Sequence, residues 1–336
     1  MPPLHGRATV VTRHPATIRR VAQSLGAVGL GVTHALSPSE LPPAQPGEYR
    51  VAVLDLDIDS TARPASLVEA MVETCPGAQL VVVAGVDAKR RLMATIESAA
   101  VRHVVPKLGS WIDRSPEQRT FDGPDEQDLA IGLRRMLLPR NEPMGASPYL
   151  IDGFSVKEAS VTSSDEKDSV LETVLGLAQA LELSDEKKRR IEVSTEELLL
   201  NALYDAPRGS DGKPLYAGVD RRTSVTLDNG ASVRLHYGCD GRNFVVSVAD
   251  RFGALERPQV VRSLVKLLEP QGPRPAPGTS GAGLGLMLTY GAANQLVVQS
   301  VPGRFTEVTA VMHVSGSNRT ALARGSALHL YLDGRQ

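Results

Sequence analysis

The stretch Gly278-Thr-Ser-Gly281-Ala-Gly283-Leu-Gly285-Leu-Met-Leu-Thr-Tyr290 decides how the second half of the chain is read. Glycines at 281, 283 and 285 open an apolar helical run, which is how backbone N–H groups and a helix N-terminus are presented to phosphate oxygens. A flexible hinge is the plainer reading of the same glycines. A dinucleotide-binding βαβ unit does not match, because its glycines follow the first strand of the unit. Here they follow a Pro-rich loop late in the chain.

Two stretches upstream bear on the same question. Val246-Ser-Val-Ala-Asp250-Arg-Phe-Gly253 is an apolar strand that ends in an acid and a glycine turn. A carboxylate at a strand end accepts the exocyclic amine of adenine, and a glycine lets backbone approach the ring. A strand with an ordinary acidic turn is the alternative. In Glu197-Leu-Leu-Leu-Asn201 the carboxylate and the amide are four residues apart on one helix face. Such an Asn offers Mg²⁺ a neutral oxygen, and such a Glu serves as a base. An exposed Glu and a helix-end Asn read the same way, and Glu196 points elsewhere.

The order Glu-x-x-x-Asn, strand-end Asp with Gly three residues later, flexible loop, then Gly-x-Gly-x-Gly before a helix resembles the GHKL superfamily of ATP-binding domains. That superfamily includes gyrase, heat-shock chaperones, mismatch-repair proteins, histidine kinases and anti-sigma-factor serine kinases. The resemblance covers roughly residues 160 to 315 and implies an α+β sandwich of the Bergerat type that binds Mg·ATP. It implies that Asn201 ligates Mg²⁺ and that Glu197 is the catalytic base. Asp250 would contact adenine, Gly253 would shape that pocket, and Gly281, Gly283 and Gly285 would line the phosphates. The segment Glu256 to Thr279 would be a lid, although its Val260, Val261, Leu264, Val265, Leu267 and Leu268 read equally as a packed helix. The chain departs from the family at Phe252-Gly253-Ala254, where a second glycine is common. No dimerising helical hairpin with a phosphoacceptor His precedes residue 160. The Glu-first form of the motif looks like the anti-sigma-factor kinase branch, in which the Glu activates a protein hydroxyl for attack on ATP.

The first half alternates strands and helices. Strands are expected at Ala8 to Thr12, Gly31 to Ala35, Tyr49 to Leu54, Gln79 to Ala84 and Val101 to Val105. The continuous Val/Leu runs imply a parallel sheet covered on both faces. This half is similar to a response-regulator receiver domain, a doubly wound α/β fold. Asp55 stands where a receiver keeps its phosphoacceptor, and Lys107 stands near the place of its Lys. The acid pair expected after the first strand is replaced by Arg13-His14-Pro15, and the hydroxyl after the fourth strand by Ala84-Gly85. Asp55 and Lys107 therefore form a degenerate site, and the domain is expected to be a pseudo-receiver that makes protein contacts. His103 and His14 read as structural.

The Pro/Gly-rich break from Pro139 to Pro148 separates the halves. The expected domains are 1–140 and 156–336, joined by a linker at 141–155. In the second half, helices are expected after a Ser163 capping box and from Ser184 to Tyr204. Strands are expected at Ser224 to Leu227, Ser232 to Tyr237, Asn243 to Ala249, Gln295 to Ser300 and Glu307 to Val314. Leu328 to Leu332 would be an extra strand.

The 336 residues carry a net charge of −1, with 37 basic and 38 acidic side chains, so no overall field attracts nucleic acid or an anionic membrane. No apolar run of about 18 residues suggests a membrane span. Met1-Pro2-Pro3-Leu4-His5 has no basic stretch leading into an apolar one, so no secretory signal is expected, and the two cysteines read as thiols. The expectation is a cytoplasmic signalling regulator whose partners are ATP and a regulatory protein, with a homodimer also in view. Phosphorylation of that protein on Ser or Thr is the catalytic reading. A non-catalytic, nucleotide-sensing interaction or scaffold protein is the alternative.

Overall fold

The computed structural model describes residues 6–85, 89–109, 121–124, 129–133, 141–216, 218–228, 230–265, 283–316 and 325–332. The protein is mixed α/β and divides into two compact units, residues 1–138 with 323–329 and residues 139–322 with 330–336. Among the described residues no helix is long and apolar enough to cross a membrane.

The first unit runs β1 (Arg7–Val11), α1 (Pro15–Ala27), β2 (Gly31–Ala35), β3 (Tyr49–Asp55), α2 (Pro64–Thr74), β4 (Gln79–Gly85), α3 (Lys89–Thr95), β5 (Val101–Gly109) and β6 (Phe121–Pro124). The strands lie in the order β2-β1-β3-β4-β5 and are mutually parallel, with β6 antiparallel on β5. Proline opens both α1 and α2, where its missing N–H costs no hydrogen bond. The strand order reverses direction between β1 and β3. Right-handed crossovers then carry α1 to one face and α2 and α3 to the other. Val21 and Leu25 of α1 pack on Ala8, Val10, Val51, Val53, Val81 and Val83. The alternate residues Ala52, Leu54 and Val82 are buried on the opposite face, so β3 and β4 read as unbroken apolar runs.

The second unit runs β7 (Val156–Val161), α4 (Lys167–Ala180), α5 (Asp185–Leu200), β8 (Val233–Cys239), β9 (Asn243–Asp250), α6 (Arg257–Val265), α7 (Leu284–Ala292), β10 (Gln295–Val301) and β11 (Phe305–His313). Its sheet has the order β10-β11-β9-β8-β7 and every pairing is antiparallel. Helix α5 packs against α4, α7, β9 and β11. The side chains of Ile191, Ser194, Thr195, Leu198 and Leu199 form its buried face. On the side of the sheet where Glu307 projects, residues 144 and 145 are tied down, since both backbone N–H groups donate to the Glu307 carboxylate (3.1 and 2.7 Å).

Three expectations change. The Ser163 hydroxyl accepts from the Asp165 N–H (3.3 Å) and opens a 3₁₀ turn, while Glu166 accepts from Thr162 Oγ1 (2.7 Å), so no capping box forms. Ser224 to Leu227 is not a strand. Only Thr226 bridges, to Ser163, and Val225 and Leu227 are buried as loop residues. The final strand, β12 (Ala327–Tyr331), begins in the first unit: Leu328 and His329 pair antiparallel with Val104 and His103 of β5. Residues 323–329 therefore belong with the first half and not with the second domain. That pairing brings the buried His103 and His329 rings together, Nδ1 to Nδ1 at 3.0 Å, so one ring donates and the other accepts. Burial pushes His329 down to about 3, which keeps it neutral and structural.

Candidate functional site

In the second unit, helix α5 continues past Leu200 as a widened turn over Asn201–Asp205, where the Ala206 N–H reaches back five residues to the Asn201 carbonyl (3.0 Å). Such single π turns recur at functional sites because they re-aim side chains without ending the helix. Here the turn carries Asn201, Tyr204 and Asp205 onto the wall of a cavity of about 370 Å³. Asp250, Thr306 and Gly283 line the same cavity, and its apolar lining includes Leu198, Val248, Leu255, Leu286 and Val308. A mostly apolar cleft with a few converging polar groups is the usual form of a small-molecule site.

Asp250 ends β9 and is 5 % exposed. Its Oδ1 accepts from the N–H groups of Phe252 (2.8 Å) and Gly253 (3.3 Å). Thr306, directly across the ladder, adds hydrogen bonds from its N–H and its hydroxyl. Burial nevertheless dominates and pushes the carboxyl up to about 6. Gly253 does not line the cavity. It has φ +59°, and a Cβ there would lie 2.1 Å from the Val301 carbonyl oxygen, against the turn between β10 and β11. Its part is to let that turn close under Asp250 and to supply one N–H.

Gly283 precedes α7 and lines the cavity, so the head of that helix opens toward the space beside Asn201. Gly281 lies outside the described residues. Gly285, in the first turn of α7, faces α5: a Cβ there would stand 2.4 Å from Glu197 Oε2 and 3.0 Å from Asn201 Oδ1. The two helices hold this register because the buried Arg190 of α5 donates to the Ala292 carbonyl at the end of α7 (2.6 Å) and to Asn294 Oδ1 (2.7 Å). A guanidinium at a helix C-terminus also complements the helix dipole. Gly285→Ala is expected to displace the Glu197 and Asn201 side chains at a stability cost of only about 1 kcal/mol. It should also weaken any ligand that depends on them about tenfold. Thermal unfolding and a binding titration separate the two effects.

Glu197 does not open onto the cavity. It is half-buried behind Gly285 and pairs with Arg221, Oε2 to Nη1 at 3.3 Å. The same guanidinium donates from Nη2 to Asn201 Oδ1 (3.3 Å) and to Asp205 Oδ2 (2.7 Å). Burial raises both Glu197 and Asp205 above the usual carboxylate range, and the Arg221 charge opposes that rise. Of these three residues Asn201 is the expected Mg²⁺ ligand, and the carboxylates of Glu197 and Asp205 are the other oxygens near it. A bound Mg²⁺ requires oxygens at about 2.0–2.1 Å in near-octahedral array. As placed, the oxygens converge on a guanidinium and do not fit that ion. Among the described residues no cluster of His, Cys, Asp or Glu has metal-holding geometry.

The structure thus brings Asn201, Asp250 and Gly283 to one cavity, with Glu197 and Gly285 just behind its wall. Sequence reasoning did not single out Asp205, Arg221 or Thr306. Asp205 sits eight residues beyond Glu197, one residue past the expected helix end at Tyr204, and the widened turn keeps it with Asn201 on the cavity wall.

In the first unit, Asp55 at the end of β3 and Lys107 in β5 are in direct contact and both side chains are fully buried. Lys107 Nζ donates to Asp55 Oδ1 (2.9 Å) and Oδ2 (3.1 Å), and it also pairs with Asp57. Thr12, just past β1, donates its hydroxyl to Asp55 Oδ2 (2.6 Å), and the Asp57 N–H donates to Oδ1 (3.0 Å).

No protein-family model matches the chain, and no curated protein matches it.

Proposed function

We propose that the second unit is an adenine-nucleotide-binding module of the GHKL type, and that the protein is a regulator whose partner-facing state depends on the bound nucleotide. The observation that carries this reading is the Asp250 carboxylate, buried in the wall of the 370 Å³ cavity with Oδ1 held by backbone N–H groups. A carboxylate fixed in this way is an acceptor for a ring amine, and the apolar walls around it suit a planar base. The head of α7 at Gly283 lines the same cavity and supplies N–H groups of the kind that hold phosphate.

Between the two modes open to such a module, the non-catalytic one is favoured by the position of Glu197. A general base must be within hydrogen-bond reach of the hydroxyl it deprotonates. Glu197 is instead turned to Arg221 and kept off the cavity. For the first unit, the doubly wound strand order and the placement of Asp55 support a pseudo-receiver used for protein contacts. An Asp55 already enclosed by Thr12, Lys107 and the Asp57 N–H is poorly placed to take a phosphoryl group.

Calorimetric titration of the full chain with ATP tests the reading, with inosine triphosphate as comparison because it carries a carbonyl where adenine carries the amine. ATP is expected to bind and inosine triphosphate to bind about 100-fold more weakly, since Asp250 would face a second acceptor. Failure to bind ATP, or equal affinity for both, would overturn the proposal.

A further inference from the structure

Arg221 belongs to the irregular segment between α5 and β8, and its position is built. The Tyr204 hydroxyl donates to the Arg221 carbonyl (3.0 Å) and shares its hydrogen with the Thr223 carbonyl (2.8 Å), so the turn at 221–223 is pinned to the end of α5. From that turn the side chain reaches back across three oxygens of three residues, Glu197, Asn201 and Asp205. Its Nε is buried and has no hydrogen-bond partner among the described residues. Two of the three acceptors, Asn201 and Asp205, also line the cavity.

We infer that Arg221 is the resident cation of this site: its guanidinium takes the place between Glu197, Asn201 and Asp205 that a divalent ion would need, so that nucleotide binds without metal. The inference rests on the nucleotide reading above. The physical argument is one of exclusion. A compact divalent ion and a guanidinium cannot share the same three oxygens, because both are positive and the ion demands the inner coordination positions. A guanidinium is always charged, is weakly hydrated and is held here by three acceptors at once, so it does not leave readily. It also partly neutralises two buried carboxylates beside the place where phosphates would lie, which lessens their repulsion of a phosphate. A tethered cation does so without a concentration dependence.

The test is ATP titration of the full-length protein in excess magnesium chloride and, separately, in excess EDTA, for the wild type and Arg221→Gln. The wild-type dissociation constant is expected to change by less than about threefold between the two conditions, as the charge is already in place. In Arg221→Gln the vacated oxygens should admit the ion, and EDTA should weaken binding at least about tenfold. A wild type that loses ATP binding in EDTA overturns this inference and leaves the nucleotide reading standing. A wild type that binds ATP in neither condition overturns that reading, and this inference with it. Because Arg221→Gln leaves two buried carboxylates uncompensated and risks misfolding, a second measurement uses nucleotide-free wild type alone. Titration with Mn²⁺ followed by electron paramagnetic resonance should show no bound ion, and a stoichiometric bound ion would overturn the assignment.

Discussion

Asp250→Asn is expected to weaken ATP binding by about 100-fold or more, the largest effect of any conservative change in the cavity. In the wild type, Oδ1 accepts from the Phe252 and Gly253 N–H groups and the carboxylate also accepts from Thr306, so a ring amine would share an oxygen with one of these donors. An asparagine keeps one oxygen for those backbone donors and turns an NH₂ toward the ring, so donor faces donor and a buried polar pair goes unmade. The same substitution has a distinct signature in stability. The Asp250 carboxyl lies at about 6 in the folded protein because burial disfavours its charge, against 3.8 for the ordinary group. A folded-state value above the unfolded one means that the native state holds the extra proton between pH 4 and 6. Stability therefore falls as pH rises through that window, by about 2–3 kcal/mol from this group. Asp250→Asn should lack that decline. The difference in unfolding free energy between variant and wild type should then shift in favour of the variant by about that amount from pH 4 to pH 7. Urea unfolding at a series of pH values measures it. A variant that parallels the wild type across the window would show that Asp250 does not carry the shift. Nucleotide binding by the wild type should have the opposite pH dependence. The acceptor is complete only when the carboxyl is ionised, so affinity should drop about tenfold per pH unit well below 6.

The parts of this arrangement that were legible in the sequence are the parts with local periodicity. The four-residue spacing of Glu197 and Asn201 placed them on one helix face, and the apolar run into Asp250, closed by a glycine turn, placed that acid at a strand end. The Val/Leu runs of β3 and β4 announced a sheet covered on both sides. Arg221 was not legible in the same way. It lies twenty residues beyond Asn201 in a segment without repeat, and its reach into the site is fixed by Tyr204 holding the backbone at 221 and 223. Thr306 was missed for a related reason: its place opposite Asp250 is a matter of strand register between β11 and β9, set by pairing over more than fifty residues. The strand at 327–331 was expected, but its destination was not, because an apolar alternation says which face is buried and not which neighbour it joins. The resemblance named Asn201, Asp250 and Gly283, which line one cavity, and named no residue of the turn that carries Arg221. The motif Glu-x-x-x-Asn carries no record of an arginine supplied from elsewhere in the chain.

The first unit offers the other large effect. Lys107→Ala is expected to destabilise the unit by about 3–5 kcal/mol, because it leaves the fully buried Asp55 without its cation. Thr12 and the Asp57 N–H still donate to the carboxylate, but two neutral donors do not replace a charge at 2.9 Å in a site without solvent. Asp57 loses the same partner, yet its side chain is 25 % exposed and keeps the Gly85 N–H (3.0 Å), so its loss is smaller. The double change Asp55→Leu with Lys107→Met removes both buried charges and should recover most of the loss, since a well-packed apolar pair costs about as little as the ion pair it replaces. Native-state hydrogen exchange at the amides of β3, β4 and β5 localises the effect to this unit. Recovery in the double variant would mean that the pair holds the unit together without being needed for its folding. Failure to recover would assign Thr12 and Asp57 a larger share of the structure than the ion pair itself. The same enclosure predicts that a small phosphodonor leaves no acid-labile label on Asp55 in the wild type. Both oxygens of this carboxylate are already engaged by a lysine, a hydroxyl and a backbone N–H, which disfavours attack on the donor's phosphorus.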